Sequence, residues 1–165
     1  MFEIKPLSKE SIPAALEKAM RYRLLNEPGN AESICHDVLR VDPENQEALV
    51  TLLLAMTDRF VKGYAIGDTQ IREVLARIRD EYERTYYSGI VCERRAKAQL
   101  HRDAPGSKFA AYEWLREAMD WFEKAEEIRP RGNDDAILRW NTCARMIMNN
   151  NLSPRPAEEV EQFLE

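Results

Sequence analysis

The residues best equipped for chemistry are two histidines, three cysteines and a few adjacent acids, and their spacing decides what they can do. His36 and His101 lie far apart in the chain, and neither has a second metal ligand at i+4. His36 is flanked by Cys35 and Asp37, but adjacent residues of a helix point in different directions, so the three do not form a site. Asp134-Asp135 falls at a helix start, where negative charge favours the helix dipole. No glycine-rich phosphate loop, Gly-x-Ser-x-Gly elbow or paired-carboxylate motif occurs. Cys35, Cys92 and Cys143 are isolated from one another, with no Cys-x-x-Cys, and each sits among apolar neighbours. They read as small buried hydrophobes in a reducing compartment. The expectation is a protein without catalysis, metal or cofactor.

The composition is that of a helical domain. The 165 residues suffice for one domain with a real core. A hydrophobic content of 44% with 32% charged residues fits helices with solvated outer faces. The net charge of -5 gives no global drive toward nucleic acid or anionic lipid. The basic run Arg94, Arg95, Lys97, His101, Arg102 and Lys108 is diluted by Glu93 and Asp103 and reads as a solvated face, with an acidic partner patch the sharper alternative. The first residues show no secretory leader, and the longest apolar run, Ala48 to Met56, is too short for a membrane span. A soluble, cytoplasmic protein is expected.

Periodicity and caps then divide the chain. Ser11, with Pro13 behind it, opens a helix to about Leu25. Pro28-Gly29-Asn30 is a turn, and Asn30 is expected to cap Ala31 to Val41, which Asp42-Pro43 ends. Asn45 caps Gln46 to about Phe60, and residues 61–67 read as a loop. Asp68 caps a helix carrying Ile71, Val74, Leu75 and Ile78 on one face. A turn is placed at Asp80 to Glu83. The following helix carries Tyr86, Tyr87, Ile90, Val91 and Ala98 and ends at Asp103-Ala104-Pro105-Gly106. Ser107 caps Lys108 to Ile128, Asn133 caps Asp134 to Met148, and a short acidic helix runs from Ala157 to Leu164. Apart from one possible strand at Phe2 to Ile4, the pattern is all-α, with about eight helices in antiparallel pairs.

One spacing occurs twice. Ala31, Cys35, Val38 and Pro43 recur as Ala118, Phe122, Ala125 and Pro130, and an eroded copy keeps Ile71, Leu75 and Ile78 with Glu83 where the proline would stand. Small residues at these intervals let two helices pack closely, and the proline stops the helix. The pattern resembles the tetratricopeptide repeat of 34 residues. Tyr22 falls where that family places an aromatic on its first helix, and Ser88-Gly89 supplies the small pair expected at the helix contact. The family's Trp-x2-Leu-Gly opening is missing. The resemblance implies an all-α right-handed α-solenoid in one domain. Its repeats would cover approximately 12–43, 46–83, 84–130 and a partial 133–148, and the C-terminal helix at 156–165 would cap it through Val160, Phe163 and Leu164.

In such repeats the first helix of each pair lines a concave groove. The resemblance therefore implies a mainly apolar and aromatic surface with Leu16, Met20, Val50, Leu54, Tyr86, Tyr87, Ile90, Ile137 and Leu138, and Asn141 beside them on the last helix. Arg23, Arg94 and Arg145 would form a rim selecting acidic partners. A subclass of these domains clamps the carboxylate tails of chaperones, and the matching positions here are Leu16, Met20, Thr51, Glu83 and Tyr87, which lack the required charges. The resemblance thus implies a non-catalytic adaptor that captures a peptide or helix of a partner protein. Two alternatives stay open: a homo-oligomer, including a homodimer, whose grooves and terminal helices satisfy each other, and a small-ligand pocket around Tyr86, Tyr87 and Trp140.

Overall fold

The computed structural model describes residues 1–63 and 67–157. Among these, the chain forms seven α-helices and no strand. They are α1 (Ile12–Leu24), α2 (Pro28–Val41), α3 (Gln46–Asp58), α4 (Asp68–Arg77), α5 (Glu81–Arg102), α6 (Ser107–Glu127) and α7 (Asp135–Asn149), with single 3-10 turns at Lys9–Ser11 and Phe60–Lys62. The strand expected at Phe2 to Ile4 is not formed, and these exposed residues have no sheet partner. The helix expected from Ala157 to Leu164 lies outside the described residues, apart from Ala157 itself.

The helix ends follow local chemistry, with five corrections to the expected caps; one is at α7, where Asp134 rather than Asn133 holds the N-cap position and Asn133 Oδ1 accepts from the Asp135 N–H at 3.0 Å. α1 closes with Asn26 in the left-handed region at φ 59°. The Asn26 N–H donates to Arg23 O at 3.0 Å and the Glu27 N–H to Tyr22 O at 2.9 Å, the two bonds of a Schellman cap. That cap consumes the turn two residues early, so Pro28 starts α2, where its missing N–H costs nothing. Asn30 therefore lies in the first turn and donates to Glu27 Oε2 at 2.9 Å instead of capping. α7 ends in the same way, through Asn151 at φ 51° and a Leu152 N–H to Ile147 O bond of 3.0 Å. Asn45 does cap α3, accepting from the Ala48 N–H at 2.9 Å. Gly67 rather than Asp68 holds the N-cap position of α4, and Asp68 adds its charge to the first turn. The break before α5 falls at residues 78–80, earlier than expected, because Asp80 Oδ2 accepts from the Glu83 N–H at 3.0 Å and so caps α5. Ser107 is the first residue of α6, and its hydroxyl faces backward to accept from the Ala104 N–H at 3.0 Å.

The chain divides into two compact units, Met1–Arg84 and a second that begins at Thr85. In the first, α1 packs on α2, α2 on α3, and α3 on α4, with α1 also meeting α3. Ala31, Cys35 and Val38 of the repeated spacing are fully buried on α2. α3 lies in the middle and is buried on most sides, from Ala48 through Thr57. A polar latch ties the α2–α3 turn to the end of α4. Gln46 donates to Arg77 O at 3.3 Å and accepts from the Arg79 N–H at 2.9 Å, while Arg77 donates to Pro43 O.

In the second unit, Ala118, Phe122 and Ala125 of the repeated spacing are fully buried on α6, which packs on α7. Gly89 of α5 meets the Phe122 ring so closely that a Cβ there would lie 2.6 Å from it. The absence of a side chain at Gly89 is therefore what lets α5 approach α6. One charge is also buried here. Glu93 of α5 is 1% exposed, where an ion requires partners.

Candidate functional site

The first unit contains an open cleft of about 620 Å³ between α2 and α4, with α3 as its floor. Leu39, Leu52, Met56 and Val74 make the floor apolar. α2 contributes Glu32, His36 and Arg40 at one rim, α4 contributes Gln70, Glu73 and Arg77 at the other, and Arg59 follows the end of α3. An apolar base with convergent polar groups in this size range is the usual make-up of a binding site. Helical geometry explains the lining: residues 32, 36, 39 and 40 share one face of α2, and 70, 73, 74 and 77 one face of α4. Arg59 Nη1 donates to Glu32 Oε2 at 2.8 Å, while Glu32 Oε1 is buried with no hydrogen-bond partner among the described residues.

None of these lining residues belongs to the groove expected on the first helices. The stripes at i, i+4 on α2 and i, i+3, i+7 on α4 are present in the sequence, but only the packing of α2 and α4 over α3 makes them face one another. The expected residues of this unit lie on α1 and α3. Met20 is 38% exposed, and its Sδ accepts from Thr51 Oγ1 at 3.8 Å. Arg23 donates from Nε and Nη2 to the two Asp58 oxygens at 2.7 and 3.3 Å, so its charge is balanced within the unit. Leu54 is half-buried, between Thr51 and Asp58 along α3.

The other expected residues belong to the second unit. Tyr86 packs on Phe122 at 5.7 Å between centroids and meets Tyr87 edge-on at 5.1 Å. Tyr86 thus turns toward the helix contact, and Tyr87 packs against it. Trp140 donates from Nε1 to Glu123 Oε1 on α6 at 3.0 Å. Arg94 and Asn141 are half-buried, and Arg145 is exposed one turn beyond Asn141 on α7. The polar centre of this unit is Glu93, which no periodicity argument singled out. Lys97 Nζ lies 3.4 Å and Arg139 Nη1 3.5 Å from its Oε2, and Cys143 Sγ donates to its Oε1 at 3.7 Å. Burial works against the Arg139 charge, yet Glu93 and a hydrogen bond with Tyr86 hold it above the usual arginine value.

All three thiols are free and buried, and burial first, then a neighbouring glutamate, pushes each up to about 12. Those glutamates are Glu32 for Cys35, Glu117 for Cys92 and Glu93 for Cys143. At neutral pH all three are protonated and poor nucleophiles. Among the described residues no group of histidine, cysteine, aspartate and glutamate could hold a metal ion, and no helix is long and apolar enough to cross a membrane. Comparison with protein-family models, curated proteins and solved structures found no match to this chain.

Proposed function

We propose that this chain is a non-catalytic protein-binding adaptor of the tetratricopeptide-like solenoid type, acting in a reducing, cytoplasmic setting by capturing a segment of a partner protein. The observation that carries the reading is the open cleft between α2 and α4, with its apolar floor and its rim of opposite charges. Support for the repeat comes from the buried small and aromatic positions shared by α2 and α6, and from the sequential packing of α1 to α4. The cleft lies on second helices, so the proposed contact surface shifts from Met20, Arg23 and Leu54 to Arg40, Gln70, Glu73 and Arg77. A photo-crosslinker at Gln70 tests this in cells, comparing wild type with Arg40→Glu/Glu73→Lys and with Arg94→Glu/Arg145→Glu. The expected result is one discrete partner, captured by wild type and the second variant and lost by the first. Loss only in the second variant would move the site to α5 and α7. Equal capture by all three would overturn charge-guided binding at either place.

One observation favours self-association as a second reading. Leu24 and Leu25 at the end of α1 are 84% and 63% exposed, and Val61 is 44% exposed on the turn whose Lys62 donates to Asn26 O. Clustered exposed apolar side chains mark interfaces. Light scattering coupled to size exclusion would give a dimer mass that Leu24→Glu reduces to the monomer; a monomer throughout removes this reading.

A further inference from the structure

The cleft of the first unit differs in charge from one end to the other. Gln46 and Arg77 latch the end of α4 beside the start of α3, so Arg40 and Arg77 share one end. Glu32, Arg59 and Gln70 share the other, where α3 ends beside the first turns of α2. Arg40 spends one N–H on Ile4 O at 3.2 Å and Arg77 one on Pro43 O, and neither meets a carboxylate among the described residues. A guanidinium carries five N–H donors, so both keep donors for a ligand anion. At the opposite end, Glu32 is held by Arg59 through one oxygen, and its buried Oε1 has no donor. A buried acceptor left without a donor is costly, and a ligand donor that reaches it removes that cost.

We propose that this cleft takes a short extended peptide segment with a cationic donor at one end and a carboxylate at the other, the donor on Glu32 and the carboxylate on Arg40 and Arg77. The proposal rests on the reading of the cleft as the partner site and adds the chemistry of the occupant. Length supports it. Glu32 and Arg40 are separated by about 12 Å along α2, the span of roughly four extended residues. Leu39, Leu52, Met56 and Val74 between the two ends suit apolar side chains in the middle of the segment. Glu73 at mid-cleft disfavours an acid there.

The test uses the full chain and the tetrapeptide Ala-Leu-Leu-Ala with free ends, alongside its N-acetylated and C-amidated forms. Affinity is read by calorimetry and the site by amide shifts in nitrogen-15 spectra. The free-ended peptide is expected to give saturable shifts on α2 and α4, with about tenfold weaker binding when either end is blocked. Glu32→Gln should abolish the preference for a free amino end and leave the preference for a free carboxylate; Arg40→Ala/Arg77→Ala should do the reverse. Should loss of the Arg77 latch unfold the double variant, Arg40→Ala alone carries the same test. Shifts in the cleft that ignore the state of the ends would overturn the two-ended assignment while the adaptor reading stands. Absence of saturable binding by the free-ended peptide would also overturn it. Binding with full end dependence, combined with partner capture indifferent to Arg40→Glu/Glu73→Lys, would instead remove the adaptor reading and keep the peptide site.

Discussion

The two units carry the same helix-contact spacing and fill it differently. In the first, Cys35 occupies the position that Phe122 holds in the second, and both side chains are fully buried. A thiol is far smaller than a phenylalanine ring, and the ring needs Gly89 with no side chain at all. Polar groups are treated differently too. The first unit leaves its Arg23–Asp58 and Arg59–Glu32 pairs part-buried, with Arg23 and Asp58 13% and 20% exposed. The second sinks Glu93 into its core and answers it with Lys97, Arg139 and Cys143. A shared spacing aligns two helix faces, while the neighbours decide what occupies the contact. The two units differ in the rest as well: the unit with Cys35 at this position carries the open cleft, and the unit with the large aromatic carries the buried charge.

Substitutions can break this contrast, beginning with its largest element. Phe122→Ala should cost about 3–5 kcal/mol through lost burial and the cavity left behind, against about 1 kcal/mol for Cys35→Ala at the equivalent position. Urea unfolding of the two variants checks this, and equal costs would mean that the second unit collapses into the space. Next in size, Glu93→Ala should cost about 2–4 kcal/mol by stranding its partners; Arg139 and Lys97 are 38% and 44% exposed and can turn to water, which keeps the loss below the largest values for a broken buried pair. Glu93→Met, which keeps volume and removes the charge, should cost less than Glu93→Ala, and the opposite order would show that the charge itself is what the core needs.

Gly89→Ala should then cost about 1–3 kcal/mol by overpacking Phe122, even though alanine favours the helix. In Gly89→Ala/Phe122→Leu the penalty should shrink, a coupling that additive losses would contradict. Raising the pH should also weaken the second unit more than the first. Each thiol stays protonated in the fold up to about 12 but ionises in the unfolded chain near 9, so stability falls as pH rises through that window. At pH 10 the loss is about 1 kcal/mol per thiol, and Cys92 and Cys143 both lie in the second unit. Cys35→Ala and Cys92→Ala/Cys143→Ala proteins, unfolded at pH 7 and pH 10, report the share of each. The smallest contrast concerns two asparagines. Asn45→Ala should cost about 1 kcal/mol by removing a formed cap, and Asn30→Ala close to nothing because no cap exists there.

Much of the helical framework was legible because it depends on neighbours in the chain. The spacing at Ala31, Cys35 and Val38, and again at Ala118, Phe122 and Ala125, identified the faces that are buried. Asn45 announced its cap correctly. Asn30 did not, since Asn26 had already closed α1, and a Schellman bond pair leaves little trace in composition. The candidate site was far less legible. Periodicity finds apolar faces, and the cleft is marked by charged residues on the outer faces of α2 and α4, where a solvated surface would read the same. Glu93 was hidden for the matching reason: a glutamate within a charged helical run gives no sign of burial until α7 brings Arg139 and Cys143 to it.

By itself the sequence determined the all-helical framework, the close-packed faces and thiols placed among apolar neighbours, because these follow from side-chain spacing over one or two turns. The tertiary structure alone decided that the chain divides near Arg84, that Arg23 is answered by Asp58, and that Glu32 and Arg77 line one cleft. Those facts depend on residues dozens of positions apart becoming neighbours, and no local rule of spacing carries that information.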